Sequence, residues 1–299
     1  MSAKWTAADL PGLSGRTAIV TGGNSGIGFV AARELARAGA QVTLAVRNTG
    51  KGADAAAKIG ANASVRELDL ASLDSVRAFA AGVEGPIDFL INNAGVMAVP
   101  QSQTADGFEM QIGTNHLGHF ALTGLLLDRV TDRIVTVSSG AHRIGKIRTN
   151  DLNWQSGSYK RWPAYGQSKL ANLLFTFELQ RKLAAAGSDV RATAAHPGYA
   201  STNLQFHTAS IQDKIMAVGN KVLAQSADMG ALPTLFAATQ DIPGGAYVGP
   251  SGFMEQRGHP HLVGCTSSAQ DTAVAARLWE LSEELTGVTY SFGAGVPAA

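Results

Sequence analysis

Short apolar runs rich in β-branched residues alternate along the chain with longer segments whose apolar residues recur at helical spacing. The runs that predict strands are 17–20, 41–46, 64–68, 87–91, 133–137, 190–195 and 246–248. Helical spacing covers 29–36, 72–79, 108–127, 169–183, 229–238 and 272–285. This alternation is typical of βαβ units, in which helices carry the chain back across a parallel sheet. We therefore predict one α/β domain, residues 1–299, with a Rossmann-type doubly wound sheet of about seven parallel strands flanked by helices.

Three segments depart from this alternation. Residues 141–162 are longer, more basic and more aromatic than the other connections, and we place them as a loop on the ligand side. In 203–227 apolar residues such as Phe206 and Ile215 are spread irregularly, which predicts a substrate-binding flap with an apolar underside. Residues 249–265 are an extended stretch, and we interpret them as a C-terminal extension of the domain.

Composition excludes several classes of partner. The net charge is +1, from 24 basic and 23 acidic residues, so no general field favours nucleic acid or anionic lipid. No apolar stretch approaches the roughly 20 residues that span a bilayer, and residues 1–16 contain no run of signal-peptide type. The single cysteine, Cys265, cannot form an intrachain disulfide. We expect a cytoplasmic protein without a transmembrane segment, and we assign no metal site.

A glycine-rich turn joins the first strand to the first helix. It is Thr21-Gly22-Gly23-Asn24-Ser25-Gly26-Ile27-Gly28, with Gly26-x-Gly28-x-x-Ala31 as its core. Glycines let the backbone turn sharply and approach a pyrophosphate, whose charge then lies at the helix N-terminus. The order of strand, glycine turn and helix therefore predicts a dinucleotide site. The alternative is a tight turn that binds nothing.

The end of the second strand indicates which dinucleotide is bound. An NAD site usually has an acidic residue about 20 residues after the turn, to hold the ribose 2′-hydroxyl. This chain has Arg47 and Asn48 there, so a 2′-phosphate would be paired rather than repelled. We predict that NADP(H) is preferred, with NAD(H) as the alternative. A solvated surface arginine is the other explanation of Arg47.

Polar and small residues follow two later strands, and a tyrosine and lysine share a helix. Asn92-Asn93-Ala94-Gly95 ends the fourth strand and Ser138-Ser139-Gly140 ends the fifth, at the edge where open α/β sheets bind ligands. Tyr165 and Lys169 stand four residues apart, one turn above the other on the same helical face. A nearby cation lowers a phenol's pKa, which is the direction needed for proton transfer. Taken alone, such a pair also occurs by chance.

In their order and spacing these residues resemble the short-chain dehydrogenase/reductase family over nearly the full chain. The markers are Thr21-Gly22-x-x-x-Gly26-x-Gly28, Asp69, Asn92-Asn93-Ala94-Gly95, Asn115, Ser139, Tyr165-x-x-x-Lys169, and Pro197-Gly198 with Thr202. The segments 115–120 and 165–172 look most like the branch of retinol dehydrogenases and their bacterial relatives. Members of the family are often oligomers, so a homo-oligomer stays open here.

The resemblance implies a role for each catalytic residue. Tyr165 would be the general acid for carbonyl reduction and the general base for alcohol oxidation. Lys169 would bind the nicotinamide ribose and lower the Tyr165 pKa. Ser139 would hydrogen-bond the substrate oxygen, and Asn115 would hold a water that links Lys169 to solvent. Without the resemblance, Asn115 would be an ordinary buried amide whose hydrogen bonds are satisfied within the protein.

The resemblance also implies the cofactor contacts. The glycine turn would hold the pyrophosphate, through Gly22, Asn24, Ser25, Gly26, Ile27 and Gly28. Arg47 and Asn48 would hold the 2′-phosphate, and Asp69 and Leu70 the adenine. Asn93, Ala94 and Gly95 would hold the ribose on the adenosine side. The nicotinamide side would be held by Tyr165, Lys169, Pro197, Gly198 and Thr202.

The expected function is an NADP(H)-dependent oxidoreductase that interconverts an alcohol and its carbonyl on a lipophilic small molecule. Two alternatives stay open. One is a catalytically silent protein of the same fold that senses NADP(H), since fold alone does not fix function. The other is an enzyme that reduces a C=C bond. Tyr159 is a rival tyrosine near the site, but it has Pro163 rather than a lysine four residues on.

Overall fold

A single eight-stranded sheet forms the centre of the protein. The structure is a computed structural model that describes residues 4–199 and 225–292. The strands are β1 Thr17–Thr21, β2 Gln41–Val46, β3 Ala63–Glu67, β4 Ile87–Asn92, β5 Val130–Val137, β6 Arg191–Ala195, β7 Tyr247–Pro250 and β8 Pro260–Leu262. Their order across the sheet is β3-β2-β1-β4-β5-β6-β7-β8. The α/β doubly wound architecture predicted from the sequence is confirmed.

The first seven strands pair in parallel and the eighth is antiparallel. The eighth strand was not predicted. It lies within 249–265, where Val248 pairs with Leu262 and Pro250 with Pro260. Residues 251–259 connect β7 to β8, and a parallel return needs a crossover of roughly a dozen residues or more, so the chain can only run back alongside β7.

Within residues 4–199 and 225–292, seven helices of at least nine residues flank the sheet. They are α1 Gly26–Arg37, α2 Thr49–Ile59, α3 Leu73–Ala81, α4 Gly118–Leu126, α5 Arg161–Ala185, α6 Ala227–Thr239 and α7 Thr272–Thr286. A short helical segment, Met110–Ile112, leads through a π-helical turn, Gly113–Leu117, into α4. The predicted helix 108–127 is therefore present, but its regular spacing is interrupted where Asn115 lies.

Helix α2 was missed in the sequence. Its side chains are mostly exposed, and the face on the core consists mainly of small residues, with Gly52 and Ala55 buried and Ala56 and Ile59 partly buried, so its apolar stripe is weak. Asn48 caps its first turn, accepting from the Lys51 N–H. A Cβ on Gly52 would come within 2.6 Å of Val65 and 2.7 Å of Val46, so the helix packs on the sheet through a glycine.

Apolar side chains cover both faces of the sheet. On one face α1 and α6 contribute Val30, Leu35, Leu232 and Leu235 to a buried cluster with Leu44 and Ile91 of the sheet. On the other face the buried cluster includes Phe79 of α3, Phe120 of α4, Phe175 of α5 and Trp279 of α7. The strand order reverses direction between β1 and β4, which is where open α/β sheets form their ligand crevice.

Two predicted features fall wholly or partly outside the described residues. These are Thr202 and all but the last three residues of the 203–227 segment. Within 4–199 and 225–292, no helix combines the length and hydropathy needed to cross a membrane. The same ranges contain no cluster of His, Cys, Asp and Glu side chains arranged to hold a metal ion.

Candidate active site

The glycine turn forms a close-packed junction between β1 and α1. Gly22 and Gly26 have positive φ values of 66° and 56°, which a residue with a side chain rarely adopts. A Cβ on Gly28 would overlap Asn93 Nδ2 and lie 2.6 Å from Gly22 O. Ser25 occupies the N-cap position of α1, but its side chain makes no cap hydrogen bond. The positive end of α1 therefore has no side-chain cap from Ser25, which fits an anion such as a pyrophosphate.

A buried hydrogen-bond network ties the glycine turn to the next strand and to the π-helical turn. His119 Nδ1 lies 3.1 Å from Asn115 O, which can only accept, so Nδ1 carries the ring proton. Burial lowers the pKa of His119 to about 4, so the neutral ring accepts at Nε2 from Thr21 Oγ1, 2.9 Å away. Thr21 Oγ1 also accepts from the Asn93 and Ala94 N–H groups, both at 2.9 Å.

The Asn93 side chain belongs to the same junction, because its Nδ2 donates to Thr21 O over 2.8 Å. The Asn93 side-chain amide is therefore already hydrogen-bonded within the protein. Of the predicted adenosine-side residues 93–95, Asn93 and Ala94 are oriented by Thr21, and Gly95 lies beside Asn115.

Arg47 and Asn48 stand at the end of β2, as predicted, and both are exposed. The Asn48 side chain accepts from the Lys51 N–H at 2.9 Å and so begins α2. Arg47 forms no ion pair with the residues that the structure describes. Its guanidinium is therefore available at the rim where a 2′-phosphate is expected.

Asp69 and Leu70 follow β3. The Asp69 carboxylate accepts from the Ala71 N–H at 2.9 Å, and its own N–H donates to Ser75 Oγ. Leu70 is buried, and a Cβ on Gly118 would overlap the Leu70 carbonyl oxygen. Helix α4 thus approaches this loop through a glycine, which fixes the loop against the crevice.

Ser139, Tyr165 and Lys169 come together beside the end of β5. The Ser139 hydroxyl lies near the phenol of Tyr165 and acts on its pKa, and Ser139 Oγ accepts from the Ala141 N–H at 3.2 Å. Lys169 Nζ lies 5.8 Å from the centre of the Tyr165 ring and donates to Val137 O over 3.0 Å. Ser138 Oγ donates to Lys169 O over 2.8 Å, which fastens helix α5 to the strand end. The structure therefore brings the predicted catalytic side chains into one cluster.

The pKa values in this cluster are set mainly by burial. Burial raises the pKa of Tyr165 to about 12, although the Ser139 hydroxyl acts in the lowering direction. Burial lowers the pKa of Lys169 to about 8. The net shift of the phenol pKa is therefore upward, opposite to the expected direction, because the cost of burying a phenolate outweighs the field of a cation that stands over the ring.

Asn115 lies in the π-helical turn, an irregularity common at functional sites. Its amide pairs with the backbone of Val96, accepting from N–H at 2.7 Å and donating to O at 2.9 Å. Nδ2 also donates to Ser168 Oγ at 2.9 Å. A Cβ on Gly95 would lie 2.8 Å from Asn115 Oδ1 and 3.7 Å from Lys169 Nζ. Asn115 and Lys169 therefore converge on Gly95.

Pro197 and Gly198 follow β6. Gly198 has a φ of 65°, and a Cβ there would overlap Gln256 O. The Tyr199 N–H donates to Gln256 O at 2.8 Å, and Gln225 Nε2 donates to Pro197 O. The predicted nicotinamide loop is thus held by Gln256 of the C-terminal extension and by Gln225 at the end of the 203–227 segment. Thr202 lies outside the described residues.

Tyr159, the rival tyrosine, has its own partners. Its hydroxyl donates to Glu109 Oε1 at 2.8 Å and accepts from Gln111 Nε2 at 2.8 Å. Burial, together with the Glu109 charge, raises the Tyr159 pKa. A tyrosine held neutral by a carboxylate is a structural group, not a proton donor poised near neutral pH.

Several residues of the site were not singled out from the sequence. Thr21 and His119 form the junction above, and Gln111 Oε1 accepts from the N–H of Ala98, which has a positive φ of 48°. His119 stands four residues after Asn115, and this helical spacing was a signal that both face one site. Thr21 and Gln111 carried no comparable signal, because their partners are distant in the sequence.

Comparisons with known proteins agree with this geometry. The family model for short chain dehydrogenase matches residues 16–213. Human retinol dehydrogenase 13 is 42% identical over 297 residues, covering 92% of this chain and 86% of that protein. A crystal structure of an uncharacterised protein from Mycobacterium paratuberculosis is 56% identical, with a TM-score of 0.85, and covers 96% of this chain and 99% of that chain.

A further solved structure is described as an NAD(P)-dependent gluconate 5-dehydrogenase from Beutenbergia cavernae with bound NADP. It is 28% identical with a TM-score of 0.57, and it covers 76% of this chain and 90% of that chain. The extent of these matches establishes the family on grounds independent of the motifs. The chain belongs to the short-chain dehydrogenase family of oxidoreductases.

Proposed function

We propose that the protein is an NADP(H)-dependent oxidoreductase that interconverts an alcohol and its carbonyl compound on a lipophilic small molecule. The observation that carries the proposal is the buried Tyr165 phenol, which lies near the Ser139 hydroxyl and under the Lys169 ammonium. A proton donor, an oxyanion partner and a cation are the groups that carbonyl reduction needs. The relatives named retinol dehydrogenase support an alcohol and carbonyl pair.

The fold supplies a place for a dinucleotide. The N-terminus of α1 would bind the pyrophosphate, and the crevice between β1 and β4 leads from there to Tyr165. A bound nicotinamide supplies a hydride to the substrate carbon or accepts one from it. Arg47 supports NADP(H) over NAD(H), because its exposed guanidinium can pair with a 2′-phosphate where a carboxylate would repel it.

In the direction of reduction, Tyr165 transfers a proton to the substrate oxygen. With a pKa of about 12 the phenol is protonated at neutral pH, so the proton is available. Ser139 Oγ hydrogen-bonds the same oxygen and stabilises the charge that develops there. Lys169, mainly protonated below its pKa of about 8, stabilises the phenolate that remains. In oxidation the same groups act in reverse.

Reprotonation of Tyr165 needs a path to solvent. Asn115 and Lys169 both lie beside Gly95, and Lys169 carries an exchangeable proton in the neutral range. We assign Asn115 the role of holding a water next to Lys169. The proton would then pass from solvent through Lys169 to the phenol.

Exposed apolar side chains support a lipophilic substrate. Trp162 is 42% exposed, and its ring lies 6.0 Å from the Tyr165 ring. Ile144 is 60% exposed, and its Cγ1 lies 3.1 Å from where a Cβ on Gly166 would be. Both residues flank the first turn of α5 at the phenol, so an apolar substrate would bury them. A cytoplasmic location and a homo-oligomer are further proposals that rest on the sequence.

The test is turnover of a panel of aldehydes, ketones and enones with NADPH, with the products identified by mass. Formation of alcohols from the carbonyl compounds is the expected result. Saturated ketones from the enones, with no alcohol, would instead favour a C=C reductase. Tight NADPH binding without any product would favour the silent sensor.

A further inference from the structure

A strained turn in the C-terminal extension directs one carboxylate inward. Met254 and Glu255 both have positive φ values, 50° and 57°, although neither is glycine. Backbone hydrogen bonds close the turn, from Gly252 N–H to Arg257 O and from Ser251 N–H to His259 O, both at 2.8 Å. Such a conformation persists only where the surroundings over-determine it, and it is common at functional sites.

The Glu255 carboxylate bridges two loops that carry site residues. Its two oxygens each lie 3.2 Å from Arg143 Nη2, in the turn that begins after Ser139. Oε2 also lies 3.1 Å from Nε2 of the buried His196, which directly precedes Pro197 and Gly198. The side chain of Glu255 is 25% exposed, so the pair with Arg143 is only partly screened by solvent.

The ring of His196 lies at one end of this bridge. The Gly198 N–H donates to His196 Nδ1 at 3.3 Å, so Nδ1 is an acceptor and the neutral ring carries its proton on Nε2. Glu255 Oε2 lies 3.1 Å from this nitrogen without hydrogen-bond alignment, so the contact with His196 is one of close packing and charge. The ring fits because residue 249 is glycine, where a Cβ would overlap Nε2. The His196 ring can therefore lie beside Glu255 only because residue 249 has no side chain.

Hydrogen bonds couple the position of Glu255 to both loops, the one after Ser139 and the one at Pro197 and Gly198. On one side, His142 Nδ1 lies 2.7 Å from Ser139 O, beside Arg143. On the other side, Gln256 O accepts from the Tyr199 N–H at 2.8 Å, immediately after Gly198. A shift of the turn would move Ser139 relative to the segment 197–199.

We propose that Glu255 is a positioning residue that fixes the Ser139 loop relative to the Pro197–Gly198 loop, and thereby sets the nicotinamide ring against the substrate oxygen. The proposal rests on the proposed function, since it assigns the nicotinamide side of the dinucleotide to the Pro197–Gly198 loop. Glu255 touches neither substrate nor adenine, so its removal should act on one end of the cofactor only.

The test compares two probes on the full chain, NADPH and 2′-phospho-ADP-ribose, which lacks the nicotinamide. Glu255→Ala should weaken NADPH binding about tenfold, the loss expected for one charge-assisted hydrogen bond, and leave the fragment within about twofold. Glu255→Gln keeps an acceptor for Arg143 without the charge and should recover part of the loss. Glu84→Ala, an exposed acid on a distant loop, is the control.

Each outcome decides between the proposals. Selective loss of NADPH binding, with a lower kcat at saturating NADPH, supports the positioning role. Equal weakening of both probes would mean general damage to the fold, and unchanged binding of both would mean that the bridge does not position the cofactor; either result overturns the inference. If the unsubstituted protein binds neither probe, the proposed function itself fails, independently of Glu255.

Discussion

Lys169 Nζ lies 5.8 Å from the centre of the Tyr165 ring, one helical turn further along α5. Both side chains are buried, so the protein keeps a cation where burial alone disfavours it. Val137 O accepts from Lys169 Nζ at 3.0 Å and from Asn172 Nδ2 at 3.1 Å, and these contacts hold the cation in place. The buried cation therefore lowers the stability of the folded protein.

Lys169→Met should stabilise the protein while abolishing its turnover. Burial lowers the Lys169 pKa from 10.5 to about 8, so below pH 8 the native state bears the whole cost of the buried charge. The substitution should raise the free energy of unfolding at pH 7 by about 1–3 kcal/mol. Because the native lysine loses its proton first, this gain should fade as pH rises from 8 towards 10.5.

Denaturant unfolding at pH 7 and pH 10 measures this effect. Lys58→Met, on the exposed side of α2, is the matched control and should show no such pH dependence. A Lys169→Met protein that is less stable than the parent at both pH values would contradict the argument.

His116→Gln should reduce the loss of stability in acid. His116 Nε2 lies 2.9 Å from Ser282 Oγ, which itself donates to Leu278 O, and burial lowers the His116 pKa to about 3. Between pH 6.5 and 3 the unfolded chain binds a proton that the native protein does not, so wild-type stability falls as pH falls. At pH 5 this one group should cost about 2 kcal/mol relative to pH 7.5.

The measurement is the difference in unfolding free energy between wild type and His116→Gln at pH 7.5 and at pH 5. Between pH 7.5 and pH 5, the unfolding free energy of the variant should rise by about 2 kcal/mol relative to that of wild type. His261→Gln, on an exposed strand, should give the same difference at both values. No movement for His116→Gln would show that this ring is not held neutral.

Gly28→Ala should disrupt the dinucleotide turn. An alanine usually stabilises a helix over glycine by about 1 kcal/mol, but here its Cβ would overlap Asn93 Nδ2 and lie 2.6 Å from Gly22 O. Overpacking should dominate, with a net loss of about 1–3 kcal/mol and weaker NADPH binding. Gly12→Ala, where a Cβ meets nothing within 4 Å, is the control. Equal behaviour of the two variants would refute the packing argument.

Arg47→Asp should shift cofactor preference from NADP(H) to NAD(H). The substitution removes the group expected to pair with the 2′-phosphate and adds a carboxylate that repels it and can hold a 2′-hydroxyl. The ratio of Kd values for NADPH and NADH should change by about 100-fold, from one lost charged pair and one gained repulsion. Lys58→Asp makes the same charge change on α2. An unaltered ratio in Arg47→Asp would remove Arg47 from the site.

The sequence predicted the elements whose own periodicity identifies them. The seven parallel strands and the helix containing Tyr165 and Lys169 are examples, because buried faces impose regular apolar spacing. Helix α2 packs on the core mainly through small residues, of which only Gly52 and Ala55 are fully buried, so its pattern is weak. The π-helical turn at Asn115 and the β8 hairpin depend on tertiary packing, which local propensity does not encode.

In the candidate site, too, local motifs predicted some features, and others depend on tertiary packing. The motif order placed Ser139, Tyr165 and Lys169 together, whereas the bridge from Glu255 to His196 joins residues far apart in the sequence, which no local pattern reveals. The direction of the Tyr165 pKa was also beyond the sequence. Helical spacing gives the distance between phenol and cation, but the burial that dominates the pKa is set by the whole fold.

The central claim is that Tyr165 transfers the proton, and paired tyrosine substitutions test it most directly. Tyr165→Phe removes the buried phenol hydroxyl near Ser139, and Tyr159→Phe removes a half-buried hydroxyl that is bonded to Glu109. With an aldehyde accepted by the parent protein and saturating NADPH, Tyr165→Phe should lower kcat by roughly 100- to 10,000-fold. Tyr159→Phe should keep kcat within about threefold of the parent, in line with a structural hydroxyl. Turnover by Tyr165→Phe at the parental rate would contradict the account.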